Sequence, residues 1–121
     1  MLERLQEASD QFIGLCASGT VMARDVEEAI GALAVVGSVP AGLVFVVDRD
    51  FDGYFAEVVR GLVNASLAHR SLVKLAVVTE AEQMEEARLA GFDRAAAPVR
   101  LFTSTDRKAA FDWAAAARRG E

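Results

Sequence analysis

Three carboxylates alternate along one short segment, at Asp48, Asp50 and Asp52, and Gly53 follows them. Alternating acids before a glycine also open a calcium loop, but the twelfth position of such a loop must be a bidentate acid and here it is Val59. A strand-like run precedes the motif, whereas a calcium-binding hand needs a helix there. We therefore interpret the three acids as the end of a buried strand, where they accept turn amides and favour the next helix electrostatically.

The same segment allows an enzymatic alternative. Residues 46–50, Val-Val-Asp-Arg-Asp, resemble the nucleophile strand of haloacid-dehalogenase-type phosphatases. In those enzymes the first Asp attacks phosphorus, the second handles the proton and magnesium neutralises the phosphate. They also need a later lysine and a further acidic pair. Here Lys74 is predicted to lie within a strand and no acidic pair follows a strand end, so a magnesium-dependent phosphatase at Asp48 and Asp50 is kept as the alternative function.

The remaining reactive side chains do not form a catalytic set. His69 with Arg70 offers a general base beside an anion holder, but one His without a nucleophile or a matching carboxylate is no triad. We expect His69 at a helix C-terminus, where its charge is favoured. Cys16 alternates with Ile13 and Leu15 and is expected to be a partly buried structural thiol. The sequence predicts no enzyme, no cofactor and no metal site.

Composition limits the class of protein. The 121 residues are 53% apolar, and 13 basic and 18 acidic side chains give a net charge of −5, which fits one domain over residues 1–121 with one core. An acidic chain with two lysines argues against nucleic acid as a partner. Nineteen uncharged residues, 29–47, approach the length of a membrane span, but turn formers at 37–42 divide them. We expect no transmembrane segment and no signal peptide, hence a cytoplasmic protein.

Hydrophobic periodicity predicts the elements that position these residues. Two short apolar runs, 2–5 and 12–17, separated by a polar turn at 7–10, predict a β-hairpin. Buried strands are predicted at 43–47, ending at Asp48, at 72–78 and at 99–102. Helical stripes are predicted from 25 to about Gly37 and from Tyr54 onward. The predicted fold is α/β, a mixed β-sheet with covering helices in the order ββαβαβαβα.

Two helix starts are predicted from capping chemistry. Thr79 and Glu82 have capping-box spacing, so a third helix is expected from Glu80 to Gly91, where glycine tolerates left-handed geometry. Ser104 or Thr105 is expected to cap the last helix.

In this order of elements, several segments resemble the SpoIIAA-like family, small bacterial proteins with the STAS fold of anti-sigma-factor antagonists. That fold is related to lipid-carrier domains of the CRAL-TRIO type. The resemblance covers nearly the whole chain. It is carried by Gly19 and Asp25, by residues 47–54 (Val-Asp-Arg-Asp-Phe-Asp-Gly-Tyr), by His69-Arg70 leading into 75–78, and by 99–102 followed by 110–113.

The sequence departs from the family in two places. The family commonly has a threonine at the start of its first helix, where this chain has Met22, so the usual hydroxyl cap is absent. Anti-sigma-factor antagonists also carry a phosphorylatable Ser or Thr at the turn into the second helix. Here that turn reads Asp52-Gly53-Tyr54-Phe55, so the resemblance implies the scaffold without the phosphorylation switch.

The leading functional hypothesis is a non-catalytic STAS-like module that binds a protein partner or a small apolar ligand. Its expected working surface consists of Asp50, Asp52, Gly53, Tyr54 and Phe55. A protein partner requires that Tyr54 or Phe55 be exposed as an aromatic anchor. An apolar ligand requires a cavity between helices and sheet on the order of 300 Å³ with few charges inside. We also expect a homodimer, since small symmetric dimers are common.

Overall fold

A computed structural model describes residues 1–6, 12–34 and 40–119. Within them the chain forms one mixed sheet and four α-helices, in the predicted order ββαβαβαβα. The strands are β1 (Leu2–Arg4), β2 (Phe12–Gly19), β3 (Ala41–Phe51), β4 (Leu72–Thr79) and β5 (Val99–Thr103). The helices are α1 (Ala23–Ala34), α2 (Phe55–Ala68), α3 (Met84–Arg88) and α4 (Arg107–Ala115). The predicted α/β class is confirmed.

The sheet follows chain order, β1-β2-β3-β4-β5. β1 and β2 are antiparallel, with Leu2 opposite Ala17, which confirms the hairpin; its expected turn at 7–10 lies outside the described residues. The pairs β2–β3, β3–β4 and β4–β5 are parallel. The carboxyl ends of β2 to β5 therefore meet at one edge, and the helices connect them over the faces of the sheet.

The two faces of the sheet bury different cores, which explains the unbroken apolar run in β3. Leu43, Phe45 and Val47 pack in one cluster with residues of α1, α2 and α3, whereas Val44 and Val46 pack in a second cluster with α4. Successive side chains of a strand point to opposite faces, so a strand covered on both faces must be apolar throughout. The result is a three-layer arrangement with α1 to α3 on one face and α4 on the other.

The sequence predicted that β3 ends at Asp48, but the strand continues to Phe51. Phe51 is buried in the cluster below α1 and α2 and pairs with Gly19 of β2 across a register shift. Asp48, Arg49 and Asp50 are exposed. They stay extended because the residues directly before and after them in β3 are buried and pair with β2. Polarity alone therefore misplaced the end of this strand.

The capping box predicted at the third helix is also wrong. Thr79 is the last residue of β4, paired with Thr103 and completely buried, and its hydroxyl does not accept the N–H of Glu82. Among the described residues that hydroxyl has no hydrogen-bond partner. The chain instead makes a 3₁₀ turn at Ala81–Gln83 and then the short α3. Gly91 does adopt the expected left-handed geometry, with φ +96°.

The cap expected for the last helix is absent as well. Ser104 and Thr105 lie in a 3₁₀ turn, Ser104–Asp106, and Asp106 directly precedes α4. The Ser104 hydroxyl donates to the Glu80 carboxylate at 3.0 Å, which ties this turn to the end of β4. A further 3₁₀ turn, Ala116–Arg119, follows α4.

Candidate functional site

The candidate surface runs from the end of β3 into the start of α2. Asp50 is the last residue but one of the strand, Asp52 and Gly53 form the link, and Tyr54 is the N-cap residue of α2. Phe55 is the first helical residue. The five predicted residues are therefore contiguous at the carboxyl edge of the sheet.

The two aromatic residues of this surface have opposite environments. Tyr54 is 77% exposed, whereas Phe55 is 3% exposed and belongs to the core. The Phe55 ring meets the Phe51 ring edge to face, with centroids 5.6 Å apart. Phe55 thus fixes the start of α2, and Tyr54 presents its ring to solvent.

The link between β3 and α2 is tied to the end of β2. The backbone N–H of Asp52 donates to the carbonyl of Gly19 at 3.0 Å, and the Thr20 hydroxyl donates to Asp52 Oδ1 at 2.8 Å. Gly53 lies where a Cβ would come within 3.1 Å of the Phe51 ring and 3.3 Å of the Val21 nitrogen. A Cβ at these distances would push the Phe51 ring or the Val21 backbone by a few tenths of an ångström, so glycine favours the close approach.

A contact that the sequence did not reveal joins the first turns of α1 and α2. The Ala23 N–H donates to Glu57 Oε1 at 3.0 Å, and the Met22 N–H donates to Asp25 Oδ2 at 3.0 Å. The carboxylates of Glu57 and Asp25 therefore cap the N-terminus of α1, which the side chain of Met22 cannot do. Glu57 also binds Arg60 at 2.6 Å, so its side chain is held between the two helices. No local sequence signal reports this long-range cap.

The segment that precedes Tyr54 carries a net negative charge. Asp48, Asp50 and Asp52 are exposed, and Arg49 is the one basic residue among them. Asp48 Oδ1 accepts the N–H of Arg49 at 2.9 Å, within β3 rather than in the turn that was expected there. The Arg49 guanidinium points to Glu80, with Nε 4.0 Å from Oε1.

The three aspartates do not converge on a common point. Among residues 1–6, 12–34 and 40–119, no three His, Cys, Asp or Glu side chains are arranged to share a metal ion. Asp48 and Asp50 follow the strand alternation to the α4 face, while Asp52 turns to Thr20.

The lysine of the phosphatase alternative is far from its aspartates. Lys74 pairs in register with Gly42, six residues before Asp48 in β3, which separates the two by roughly 20 Å. Its ammonium group lies 5.1 Å from the centroid of the Trp113 ring and 3.4 Å from the Trp113 carbonyl oxygen. Lys74 therefore cannot hold a phosphoryl group at Asp48.

The other two reactive side chains lie where expected. His69 is the C-cap residue of α2, and its N–H donates to the Ala65 carbonyl at 2.9 Å. Cys16 is partly buried in β2. Burial, and secondly the negative charge of Asp48, raises the pKa of the Cys16 thiol above its ordinary value, which keeps the thiol protonated and unreactive.

Within the described residues, side chains of α1 and α2 pack directly on the sheet. Ile30 of α1 and Leu62 of α2 are completely buried against Phe45 and Leu75. A groove of about 700 Å³, open to solvent, lies instead between α2 and residues 89–94, with a mixed lining in which Glu57, Arg60 and Arg94 stand beside Val63, Leu67 and Leu89. It differs from the apolar cavity expected for a lipid-like ligand in both position and charge.

No known family model matches the chain, and no curated protein matches it. Among the described residues, no helix is both long and apolar enough to traverse a bilayer.

Proposed function

We propose that the chain is a non-catalytic binding module that docks a protein partner at the surface formed by Asp50, Asp52, Gly53 and Tyr54, with Phe55 buried beneath it. The observation that carries this proposal is that Tyr54 is 77% exposed, whereas the next residue, Phe55 at the start of α2, is buried in the core. On the motifs described above, the scaffold is proposed to be SpoIIAA-like, and the module to work as a homodimer.

An exposed aromatic residue on rigid support is a favourable anchor. Tyrosine is enriched among residues that dominate binding energy, since its ring buries a large area and loses little conformational entropy. Here Phe55 packs on Phe51, and Asp52 is bound by Thr20, so the backbone beneath Tyr54 is preorganised. A partner that binds Tyr54 would not have to order this segment, which lowers the cost of association.

The acids around Tyr54 indicate the chemistry of the partner. Asp52 is exposed two residues before Tyr54, and the exposed run 48–50 with Asp52 carries a net charge of −2, three aspartates against Arg49. Electrostatic complementarity then favours a partner surface with Lys or Arg around an apolar pocket, and an association rate that falls as salt rises. Such a partner fits this surface better than a lipid-like ligand does, because the space beneath α1 and α2 is occupied by core side chains.

Site-specific photo-crosslinking in the native host tests the proposal. Benzoylphenylalanine replaces Tyr54 in one variant and Leu89 in a matched control, since Leu89 is 78% exposed but lies after α3. We expect one defined protein adduct from position 54 and not from position 89. Equal adduct patterns from both positions, or no protein adduct from position 54, would contradict the proposal.

A further inference from the structure

β5 forms an open edge of the sheet. In the part of the chain that the structure describes, Val99–Thr103 pairs with β4 on one side and ends the strand order on the other. The backbone N–H and C=O groups on the outer side of an edge strand are free to pair with an added strand. The opposite edge, β1, has three residues against five in β5.

A groove of about 390 Å³ follows this edge. Its floor is residues 100–103, one wall is Met84 and Arg88 of α3, and the other is Asp106 and Ala109 at the start of α4. Because α3 and α4 cover opposite faces of the sheet, the groove opens in the plane of the sheet, where a further strand would lie. Five residues of extended chain span roughly 16 Å, so β5 can pair with a strand of about its own length.

The charges of the groove differ in sign from those of the whole chain. The residues that line the groove carry a net charge of +1, from Arg88 and Arg100 against Asp106, although the net charge of the protein is −5. Arg100 is exposed and lies over the Phe102 ring at 5.3 Å, on the α4 face. Arg88 belongs to α3 on the other face, where its guanidinium lies 3.7 Å from the exposed carboxylate of Glu85. Asp106 accepts the Thr103 hydroxyl at 3.4 Å.

We propose that β5 binds an extended acidic segment of a protein partner as a sixth strand. Main-chain hydrogen bonds to β5 would supply affinity, as in β-strand addition generally. Carboxylates on the two faces of the added strand would meet Arg100 and Arg88. A second copy of this chain is a poorer occupant, since two β5 edges brought together would place these arginines near those of the other copy.

This edge lies two strands away from β3, so the inference does not depend on the Tyr54 surface. The probe is a capped peptide with two Glu-Glu-Val-Val repeats, which gives each face alternating Glu and Val. Binding is followed by the backbone amide resonances of ¹⁵N-labelled full-length protein. One control peptide has Lys for Glu, and another is N-methylated at every residue, which removes the backbone donors of both edges.

We expect saturable shifts centred on Val99–Thr103 with the Glu peptide and none with either control. Reversal of both groove charges, Arg88→Glu with Arg100→Glu, should weaken binding at least about tenfold and favour the Lys peptide. The matched reversal Arg24→Glu with Arg70→Glu, at exposed positions on α1 and after α2, should leave it within twofold. Thermal melting establishes that each variant is folded.

Three results would overturn the proposal. They are the absence of saturable shifts in β5 at millimolar peptide, equal binding of the N-methylated peptide, and release of a dimer by the peptide in light scattering. The last would identify the natural occupant of the edge as a second copy.

Discussion

The contact between α1 and α2 offers a matched pair of glycine substitutions. Gly61 lies in α2 where it faces α1, and a Cβ there would come within 2.6 Å of the Val26 Cβ and 2.8 Å of the Ala23 carbonyl oxygen. Gly31 lies in α1, where a Cβ would meet the nearest atom, His69 Nε2, at an ordinary 3.8 Å. Both glycines are helical, so alanine improves the intrinsic propensity at each by roughly 1 kcal/mol.

The space around each glycine decides whether alanine raises or lowers the free energy of unfolding. For Gly61→Ala the two helices must move apart, and because one of the clashing atoms belongs to the backbone the overpacking should cost about 2–3 kcal/mol, which exceeds the propensity gain. We expect a loss of about 1–2 kcal/mol in the free energy of unfolding. Gly31→Ala has no such clash and should gain about 0.5–1 kcal/mol.

Urea unfolding followed by circular dichroism measures both changes, and melting temperatures should move in opposite directions by roughly 4 °C per kcal/mol. The Ala23–Glu57 hydrogen bond joins the same two helices, so Gly61→Ala should also expose the Ala23 amide to faster hydrogen exchange. If Gly61→Ala stabilises the protein as much as Gly31→Ala does, the close α1–α2 packing is refuted.

Further substitutions and a titration test other parts of the fold. Phe55→Ala should cost about 3–5 kcal/mol of stability, because it empties a core site, whereas Tyr54→Ala should change stability by less than about 0.5 kcal/mol; equal effects in thermal melting would contradict their opposite exposure. Thr79→Val should stabilise by about 1 kcal/mol, since it removes a buried hydroxyl without a partner in the described structure. Ser66→Ala should instead cost about 1–3 kcal/mol, since that buried hydroxyl donates to one carbonyl and accepts one N–H; denaturant midpoints that shift the same way would be inconsistent with this. The raised pKa of the Cys16 thiol means that folding favours its protonated form, so its contribution to stability is complete below the pKa of the unfolded chain and is lost as pH rises through the folded value. Its alkylation by iodoacetamide should therefore have a midpoint above that of a free thiol, and a midpoint at or below that value would refute the prediction.

Most of the fold follows from periodicity in the sequence. The apolar runs of β3 and β4 required cover on both faces, and α1 to α3 with α4 supply it. Element ends were less predictable wherever a long-range contact overrides local chemistry. β3 continues through three exposed residues because Phe51 returns to the core, and Thr79 does not cap a helix because β4 still holds it.

The candidate site was predictable as a segment but not in its detail. The spacing of acids and aromatics located the turn, but sequence left open whether Tyr54 or Phe55 faces solvent. That choice depends on the Phe51–Phe55 ring contact, between residues of different elements. The hydrogen bond from Ala23, at the start of α1, to the carboxylate of Glu57 in α2 likewise joins residues 34 positions apart. Capping rules consider only nearby residues and cannot predict it.

The affinity of the protein for the partner crosslinked at position 54 tests the central claim most directly. Titration calorimetry compares the unaltered chain with Tyr54→Ala, with Tyr54→Phe, which keeps the ring, and with the equally exposed control Leu89→Ala. We predict that Tyr54→Ala weakens binding by about tenfold or more, the loss of roughly 1.4 kcal/mol or more expected of an anchoring residue, while the other two stay within about threefold. An affinity of Tyr54→Ala equal to that of the unaltered chain would contradict the account.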